Sequence, residues 1–206
     1  MTMENEATVF VVDDDGAVRD ALRSLFESVN LNVETFESAE QFLRAYQPER
    51  PGCLVLDIRM PGMGGLRLLE HLKSQAIPLP VIVLTGYADV NTAVRAMKAG
   101  AVDFVQKPFT EQELLEQIQK ALEQDARLRS ERAKQSEIEA RLARLTPRER
   151  QVFERLVGGK TNKDIAADLG ISAKTVETHR AHIMQKMQAK SLAELVRLAL
   201  RHHRYS

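Results

Sequence analysis

Two patterns of hydrophobic positions alternate along residues 1–122. Short β-branched runs predict strands, and each is followed by apolar residues at helical spacing, which predict an amphipathic helix. The predicted strands are Thr8–Val12, Val33–Phe36, Cys53–Leu56, Val81–Leu84 and Asp103–Val105, and the predicted helices are Ala17–Val29, Ser38–Tyr46, Leu66–Ser74, Val90–Ala99 and Glu111–Leu122. Because each crossover connection returns to the same edge, this order predicts a parallel sheet covered by helices on both faces. The fold class is α/β, a doubly wound (βα)5 domain.

The segment after this domain has a different composition. Residues 111–145 contain no proline or glycine, and an intermittent apolar stripe crosses them at Ile118, Leu122, Ile138, Leu142 and Leu145, with gaps at Asp125 and Arg129. We interpret residues 123–144 as a helical linker that continues the last helix and has a weak coiled-coil tendency. A flexible charged tether is the alternative.

Beyond residue 145 the pattern is all-helical. Capping residues predict four helices, which begin after Thr146, Thr161, Ser172 and Ser191, and glycines at 158, 159 and 170 end the first two. Two short helices joined by the turn at residues 169–172 are typical of a helix-turn-helix. We therefore expect an all-α four-helix domain over residues 145–206.

Charge is distributed unevenly between these regions. Residues 1–123 carry 11 Lys and Arg against 19 Asp and Glu, whereas residues 146–206 carry 12 against 6. A basic C-terminal third is typical of a module that binds a polyanion such as double-stranded DNA. Uneven solvation of an ordinary surface is the alternative.

The sequence also bears on location. The N-terminus lacks the regions of a signal peptide, and the apolar runs are shorter than the ~18–20 residues of a membrane span. We expect a cytoplasmic protein with no membrane partner. Cys53, the single cysteine, lies in an apolar run, so we expect a buried structural thiol.

Polar residues follow four of the five predicted strands. Asp13 and Asp14 end the first strand, Asp57 the third, Thr85 the fourth, and Lys107 follows the fifth. Ligands of open α/β sheets bind beyond the carboxyl ends of the strands, where these side chains converge. Carboxylates gathered there raise one another's pKa, and a bound cation would relieve this; oxygen ligands suit Mg²⁺, for which Mn²⁺ can substitute.

This residue set suits phosphoryl transfer. Asp57 is the candidate nucleophile, Lys107 supplies positive charge, and the Thr85 hydroxyl supplies a hydrogen bond to the transferred oxygens. Each residue alone is more often a turn residue. The prediction therefore rests on their common position at one sheet edge.

Residues 8–122 resemble the receiver domain of two-component response regulators, which is flavodoxin-like. The resemblance is carried by Val11-Val12-Asp13-Asp14-Asp15, Leu56-Asp57 through Pro61-Gly62, Leu84-Thr85-Gly86 and Lys107-Pro108-Phe109. It implies that Asp57 accepts phosphate from a sensor histidine kinase. It implies a metal site of Asp14, Asp57 and the Arg59 carbonyl with Asp13 nearby, and a cis Lys107-Pro108 bond. It also implies a switch in which phosphate draws Thr85 inward and Phe104 follows; the alternative is that Phe104 is simply a core residue.

The third C-terminal helix has a polar face that can meet DNA. Lys174, Glu177, Thr178 and Ala181 can reach the major groove. Lys160, Lys163, Arg180 and Lys186 are candidates for phosphate contacts, which set affinity without reading sequence. An ordinary solvated helix is the alternative for such a face alone.

Residues 145–204 resemble LuxR-type helix-turn-helix domains, and the whole chain resembles the NarL/FixJ regulators. The segment from Leu145-Thr-Pro-Arg-Glu-Arg to Lys174-Thr-Val-Glu-Thr-His-Arg carries the first resemblance, and Gly86-Tyr-Ala-Asp through Ala93-Val-Arg-Ala-Met-Lys-Ala-Gly-Ala strengthens the second. The resemblance implies a transcriptional regulator, usually an activator that meets RNA polymerase, and a homodimer paired through the fourth helix. Leu192, Leu195, Val196 and Ala199 give that helix an apolar surface suited to pairing. Phosphorylation is expected to favour the dimer and operator binding.

Two other functions use the same residues. A Mg²⁺-dependent aspartyl-phosphate hydrolase shares the nucleophile, but Arg59 stands where such an enzyme needs a second acid. A phosphorylation-independent DNA-binding scaffold would not need the complete acidic set. We therefore expect a regulator and not an enzyme, whose only chemistry is its own phosphoryl transfer and autodephosphorylation.

Overall fold

The computed structural model describes residues 7–86 and 90–205, so the motif residues Tyr87, Ala88 and Asp89 lie outside it. Within this part of the chain, one parallel sheet has the order β2-β1-β3-β4-β5. Its strands are β1 (Thr8–Val12), β2 (Asn32–Phe36), β3 (Gly52–Asp57), β4 (Val81–Thr85) and β5 (Asp103–Gln106). This is the strand order of flavodoxin-like doubly wound sheets. The predicted fold class and strands are confirmed.

Five helices accompany the sheet. They are α1 (Gly16–Ser28), α2 (Ala39–Ala45), α3 (Gly65–Ser74), α4 (Val90–Ala99) and α5 (Glu111–Ala143). Successive strand residues point to opposite faces, so Phe10 and Val12 belong to one buried cluster with residues of α2, α3 and α4. Val9 and Val11 belong to the other cluster, with residues of α1 and α5. Burial on both faces explains why the strands are almost continuously apolar.

Helix α5 is 33 residues long and includes the segment expected to be a linker. Two compact units divide within it, between Arg129 and Ser130. The apolar stripe along α5 serves two separate cores. Ile118 is buried in the N-terminal unit, whereas Ile138 and Leu142 are buried in the C-terminal one. The expected coiled-coil tendency was therefore wrong for these positions, because their side chains are already covered within each unit.

Asp125 and Arg129, which interrupt the apolar stripe, form a buried polar contact. Asp125 is 1% exposed, and its Oδ2 accepts hydrogen bonds from the Gly52 backbone N–H at 2.9 Å and from Arg129 Nε at 2.7 Å. The Arg129 guanidinium also donates to the backbone carbonyls of Glu49 at 3.0 Å and Arg50 at 2.5 Å. Residues of α5 beyond the expected end at 122 are thus fastened to the loop that precedes β3.

The C-terminal unit is helical, as predicted. It contains α6 (Pro147–Val157), α7 (Asn162–Leu169), α8 (Ala173–Met187) and α9 (Leu192–Tyr205). Thr146 and Thr161 each form a capping box, with Glu149 and Asp164 respectively. Gly170 ends α7 with φ at +63°, a left-handed conformation that glycine adopts without strain. These local signals set the helix ends because they satisfy the free backbone groups of each terminus.

Cys53 is fully buried in β3. Burial raises its pKa to about 12, and the charge of Asp125 adds to the effect. The expected structural thiol is confirmed. None of the described helices combines the length and apolarity needed to cross a membrane.

Candidate functional site

The carboxyl ends of β1, β3 and β4 meet at one edge of the sheet and form a cleft of about 330 Å³. Parallel pairing aligns Val12 with Leu56, and Asp57 with Leu84. The last residues of β3 and β4 and the residue that follows β1 therefore lie at the same edge of the sheet. The cleft is lined by Asp13, Asp14, Asp15, Val18, Asp57, Ile58, Arg59, Thr85, Gly86 and Lys107. All the residues expected in the phosphoryl-transfer site are therefore brought together.

Lys107 connects two of the carboxylates. Its Nζ donates to Asp57 Oδ1 at 2.8 Å and to Asp13 Oδ2 at 2.9 Å. Burial alone would lower the pKa of Lys107, but the hydrogen bonds and charges of Asp57 and Asp13 outweigh it and raise the pKa above its usual value. The ammonium therefore stays charged near neutral pH and partly neutralises the acidic cluster. The Lys107-Pro108 peptide bond is cis, as the resemblance implied.

The remaining carboxylate oxygens suit an oxygen-only cation site. Asp57 Oδ2 accepts the Arg59 backbone N–H at 2.6 Å, and Asp13 Oδ1 accepts the Asp15 backbone N–H at 2.9 Å. Asp14 is exposed and lines the same cleft. Within residues 7–86 and 90–205, no three His, Cys, Asp or Glu side chains form a ready metal cluster. The donor set nevertheless fits Mg²⁺, which takes one or two carboxylates and completes its shell with water and phosphate oxygens.

An arginine on α1 contacts the loop that follows β1 and carries Asp13, Asp14 and Asp15. Arg19 on α1 donates from Nη1 to the Asp13 carbonyl oxygen at 2.7 Å. Sequence reasoning missed this residue, because Asp13 follows β1 and Arg19 lies on α1, and no single period spans two elements. Asp15 also caps α1 by accepting from the Ala17 backbone N–H.

The two proposed switch residues differ in burial. Thr85 is 4% exposed at the end of β4, whereas Phe104 on β5 is 42% exposed. The alternative that Phe104 is simply a core residue is wrong. Phe104 pairs with Val83, two residues before Thr85, in the register of β4 and β5.

The expected groove-reading residues lie on one exposed face of α8. Lys174, Glu177, Thr178 and Ala181 recur at intervals of three and four residues, and all four are exposed. Lys174 Nζ donates to Glu177 Oε2 at 3.2 Å, an exposed pair that costs little to separate. The N-terminal part of α8 is thus free to approach a groove, as in helix-turn-helix recognition helices.

The expected phosphate-contacting residues do not form one set. Lys163 is exposed, and Lys160 is exposed but pairs with Asp168. Arg180 is half-buried, and its Nη1 donates to Asn162 Oδ1 at 2.6 Å.

Lys186 is half-buried and forms an ion pair with a buried carboxylate. Its Nζ donates to Oε2 of the buried Glu149 at 2.6 Å, and His182 Nδ1 lies 3.7 Å from Glu149 Oε1. Burial would raise the pKa of Glu149, but hydrogen bonds from Lys186 and Thr146 lower it to about 2. A phosphate contact by Lys186 would remove the cation that pairs with the buried Glu149 carboxylate, so this expectation is corrected to a structural role.

The apolar positions of α9 also divide. Leu195 and Ala199 are buried in the core of the C-terminal unit, so their expected role in pairing two chains is corrected to core packing. Leu192 is 42% exposed, Leu200 is 60% exposed, and Val196 is partly covered. These three recur every four residues and form one exposed apolar stripe on the helix.

Comparison with known proteins explains both halves. Residues 9–119 match the response regulator receiver domain, and residues 143–199 match the bacterial regulatory proteins of the luxR family. The transcriptional regulatory protein FixJ of Bradyrhizobium diazoefficiens is 46% identical over 97% of this chain and 97% of its own length. The chain is a response regulator of the NarL/FixJ family.

Two further relatives of this regulator are informative. The response regulator protein TodT of Pseudomonas putida is 42% identical over 96% of this chain and 87% of its own length. Among solved structures, response regulator StyR is 47% identical, covers 95% of this chain and 99% of its own, and superposes with a TM-score of 0.89. The regulator is accordingly a DNA-binding transcriptional regulator of a two-component system.

Proposed function

We propose that the regulator is switched by transfer of a phosphoryl group to Asp57. The observation that carries the proposal is the hydrogen-bonded trio of Lys107, Asp57 and Asp13 at the mouth of the cleft. An Asp57 oxygen would attack the phosphorus of a phosphohistidine on a sensor histidine kinase. The P–N bond breaks, a P–O bond forms, and the imidazole of the kinase is released.

The other residues of the cleft would support this transfer. Asp13, Asp14, Asp57 and the Arg59 carbonyl would hold Mg²⁺, or Mn²⁺ in its place. When bound, the cation neutralises charge on the transferred oxygens. The Lys107 ammonium would pair with one oxygen of the phosphoryl group, and the Thr85 hydroxyl would donate a hydrogen bond to another. The acyl phosphate would later hydrolyse in the same cleft.

Phosphorylation would then be read by the surface of β5. Thr85 would move towards the new oxygens, and Phe104 would rotate into the space it leaves. The exposed ring of Phe104 supports this step, because rotation buries an apolar side chain. Such a change would shift the populations of two conformations that the domain already adopts, rather than create a new conformation.

DNA binding would use Lys174, Glu177, Thr178 and Ala181 in the major groove and Lys160, Lys163 and Arg180 at phosphates. The exposed stripe of Leu192, Val196 and Leu200 would pair two chains on an operator with two half-sites. We expect a cytoplasmic activator that contacts RNA polymerase.

Substitution Asp57→Asn tests the proposal. A duplex selected from random sequence by the full-length protein serves as probe, and a small-molecule phosphodonor replaces the kinase. The wild type should gain one phosphoryl group, sediment as a dimer and bind the duplex about tenfold more tightly, a change of ~1.4 kcal/mol. Asp57→Asn should do none of these, whereas Asp20→Asn, at an exposed position of α1, should behave as wild type. Stimulation that persists in Asp57→Asn would refute the mechanism.

A further inference from the structure

The loop between β3 and α3 carries the residues that close over Asp57. The Arg59 backbone N–H donates to Asp57 Oδ2 at 2.6 Å, and the Gly65 backbone N–H donates to the Ile58 carbonyl at 3.0 Å. The start of α3 lies directly on Asp57, since a Cβ at Gly65 would stand 2.2 Å from the Asp57 carbonyl oxygen. Any shift of this loop therefore moves groups that touch the nucleophile.

Helix α3 has no local residue that caps its N-terminus. Its N-cap is Gly64, which forms no side-chain hydrogen bond, and its first turn contains no acidic residue. The helices α1, α2, α6, α7 and α8 are capped by a side chain at the N-cap. The positive end of the α3 dipole therefore receives no negative charge from its own N-cap or first turn.

Glu40 on α2 places a carboxylate beside the loop just before this N-cap. Its Oε1 accepts a hydrogen bond of 3.1 Å from the backbone N–H of Met63, one residue before the α3 N-cap. The same oxygen would lie 3.2 Å from a Cβ at Gly62, whose φ is +72°. The glycine therefore lets the loop approach the Glu40 carboxylate closely and turn in a conformation that other residues adopt only with strain.

The two ends of the loop are thus held by different elements. Arg59 is tied to Asp57, Met63 is tied to Glu40, and Met60 is buried in the core between them. The Arg59 carbonyl belongs to the backbone between these fixed points. Its position relative to Asp57 depends on both.

We propose that Glu40 is a positioning residue for the phosphoryl-transfer site. Through Met63, its carboxylate holds the loop so that the Arg59 carbonyl and the Arg59 N–H stay aligned with Asp57. Glu40 itself touches neither the nucleophile nor the reacting group. The proposal rests on the function proposed above for Asp57.

Three variants of the full-length protein separate positioning from general stability. Glu40→Ala removes the acceptor, Glu40→Gln keeps an oxygen acceptor but loses the charge, and Glu37→Ala removes an exposed carboxylate next to α2 that the loop does not contact. The measurements are Mg²⁺ affinity by calorimetry with the metal alone, the rate of labelling by a small phosphodonor, amide exchange of residues 58–65 and melting temperature. The last two are independent of phosphorylation.

Glu40→Ala should weaken Mg²⁺ binding and slow labelling by about tenfold, the lower range seen when a residue that orients a metal ligand is lost. Amide exchange at residues 58–65 should rise, Glu40→Gln should recover most of the loss, and Glu37→Ala should match wild type. Unchanged exchange at 58–65 in Glu40→Ala overturns the proposal, as does raised exchange with unchanged Mg²⁺ affinity and labelling. Failure of the wild type to be labelled defeats the proposed function instead, and exchange at 58–65 together with Mg²⁺ affinity then still decides the role of Glu40.

Discussion

Asp125 Oδ2 lies 2.9 Å from the backbone nitrogen of Gly52, across 73 positions of sequence. Gly52 begins β3, the strand that ends in Asp57. The contact joins the middle of α5 to the central part of the sheet, at the end opposite the acidic cleft. It explains why an aspartate occupies a position where a simple amphipathic helix would have an apolar residue.

Substitution Asp125→Ala should destabilise the N-terminal unit by about 1–3 kcal/mol, because the Gly52 N–H and the Arg129 guanidinium both lose their buried acceptor. Asp125→Asn keeps an oxygen for Gly52 and should cost less. Urea unfolding measures both, and Glu123→Ala, at an exposed position two residues earlier on α5, is the control. Amide exchange should rise over residues 123–129 in Asp125→Ala. An unchanged unfolding midpoint would show that the contacts of Asp125 with Gly52 and Arg129 do not stabilise the unit.

Adjacent glycines at the start of α3 give a matched pair. A Cβ at Gly65 would lie 2.2 Å from the Asp57 carbonyl oxygen, whereas one at Gly64 would lie 3.5 Å from the Ile58 carbonyl oxygen, an ordinary contact. Gly65→Ala should therefore cost about 1–3 kcal/mol through forced backbone movement and should slow phosphorylation of Asp57. Gly64→Ala should be close to neutral in thermal unfolding and phosphodonor labelling. Equal behaviour of the two variants would show that α3 does not press on Asp57.

The Glu149 and Lys186 pair predicts an acid-sensitive C-terminal unit. The folded-state pKa of Glu149 is about 2, below its usual 4.5, so folding favours the ionised form. Its contribution to stability is complete above pH 4.5 and is lost as the pH falls from 4.5 towards 2. Thermal unfolding of this unit should show the loss, and Glu149→Gln should reduce the pH dependence in that window. A melting temperature with the same slope in both proteins would exclude Glu149 as the source.

Salt dependence of DNA binding distinguishes two lysines that look alike in sequence. Lys163 is exposed and forms no ion pair within residues 7–86 and 90–205, whereas Lys186 is held by Glu149. Lys163→Ala should reduce the slope of log affinity against log salt by about 0.9, since one phosphate contact is lost. Lys186→Ala should leave that slope unchanged and lower the melting temperature. Lys120→Ala, on the exposed side of α5 in the other unit, controls for net charge. A larger slope change for Lys186 than for Lys163 would reverse the assignment.

Local periodicity was enough to locate most of the phosphoryl-transfer site. Strands are recognised by short apolar runs, and parallel strands must present their carboxyl ends at one edge. Asp13, Asp57 and Thr85 follow such runs, and Lys107 follows the last of them, so their meeting was predictable without coordinates. The same holds for Thr146, Thr161 and Ser172, because a cap and the helix it begins are neighbours in sequence.

Tertiary structure alone decided which residues support that site and which polar side chains pair across the fold. Glu40 reaches Met63 across 23 positions, Asp125 reaches Gly52 across 73, and Lys186 reaches Glu149 across 37. No helical or strand period relates such positions, since their contact depends on how separate elements pack. For the same reason, Leu195 and Leu192 look alike on one amphipathic helix, yet packing buries the first and leaves the second exposed. Sequence thus determined the elements and the chemistry at their ends, and packing determined which polar groups became partners.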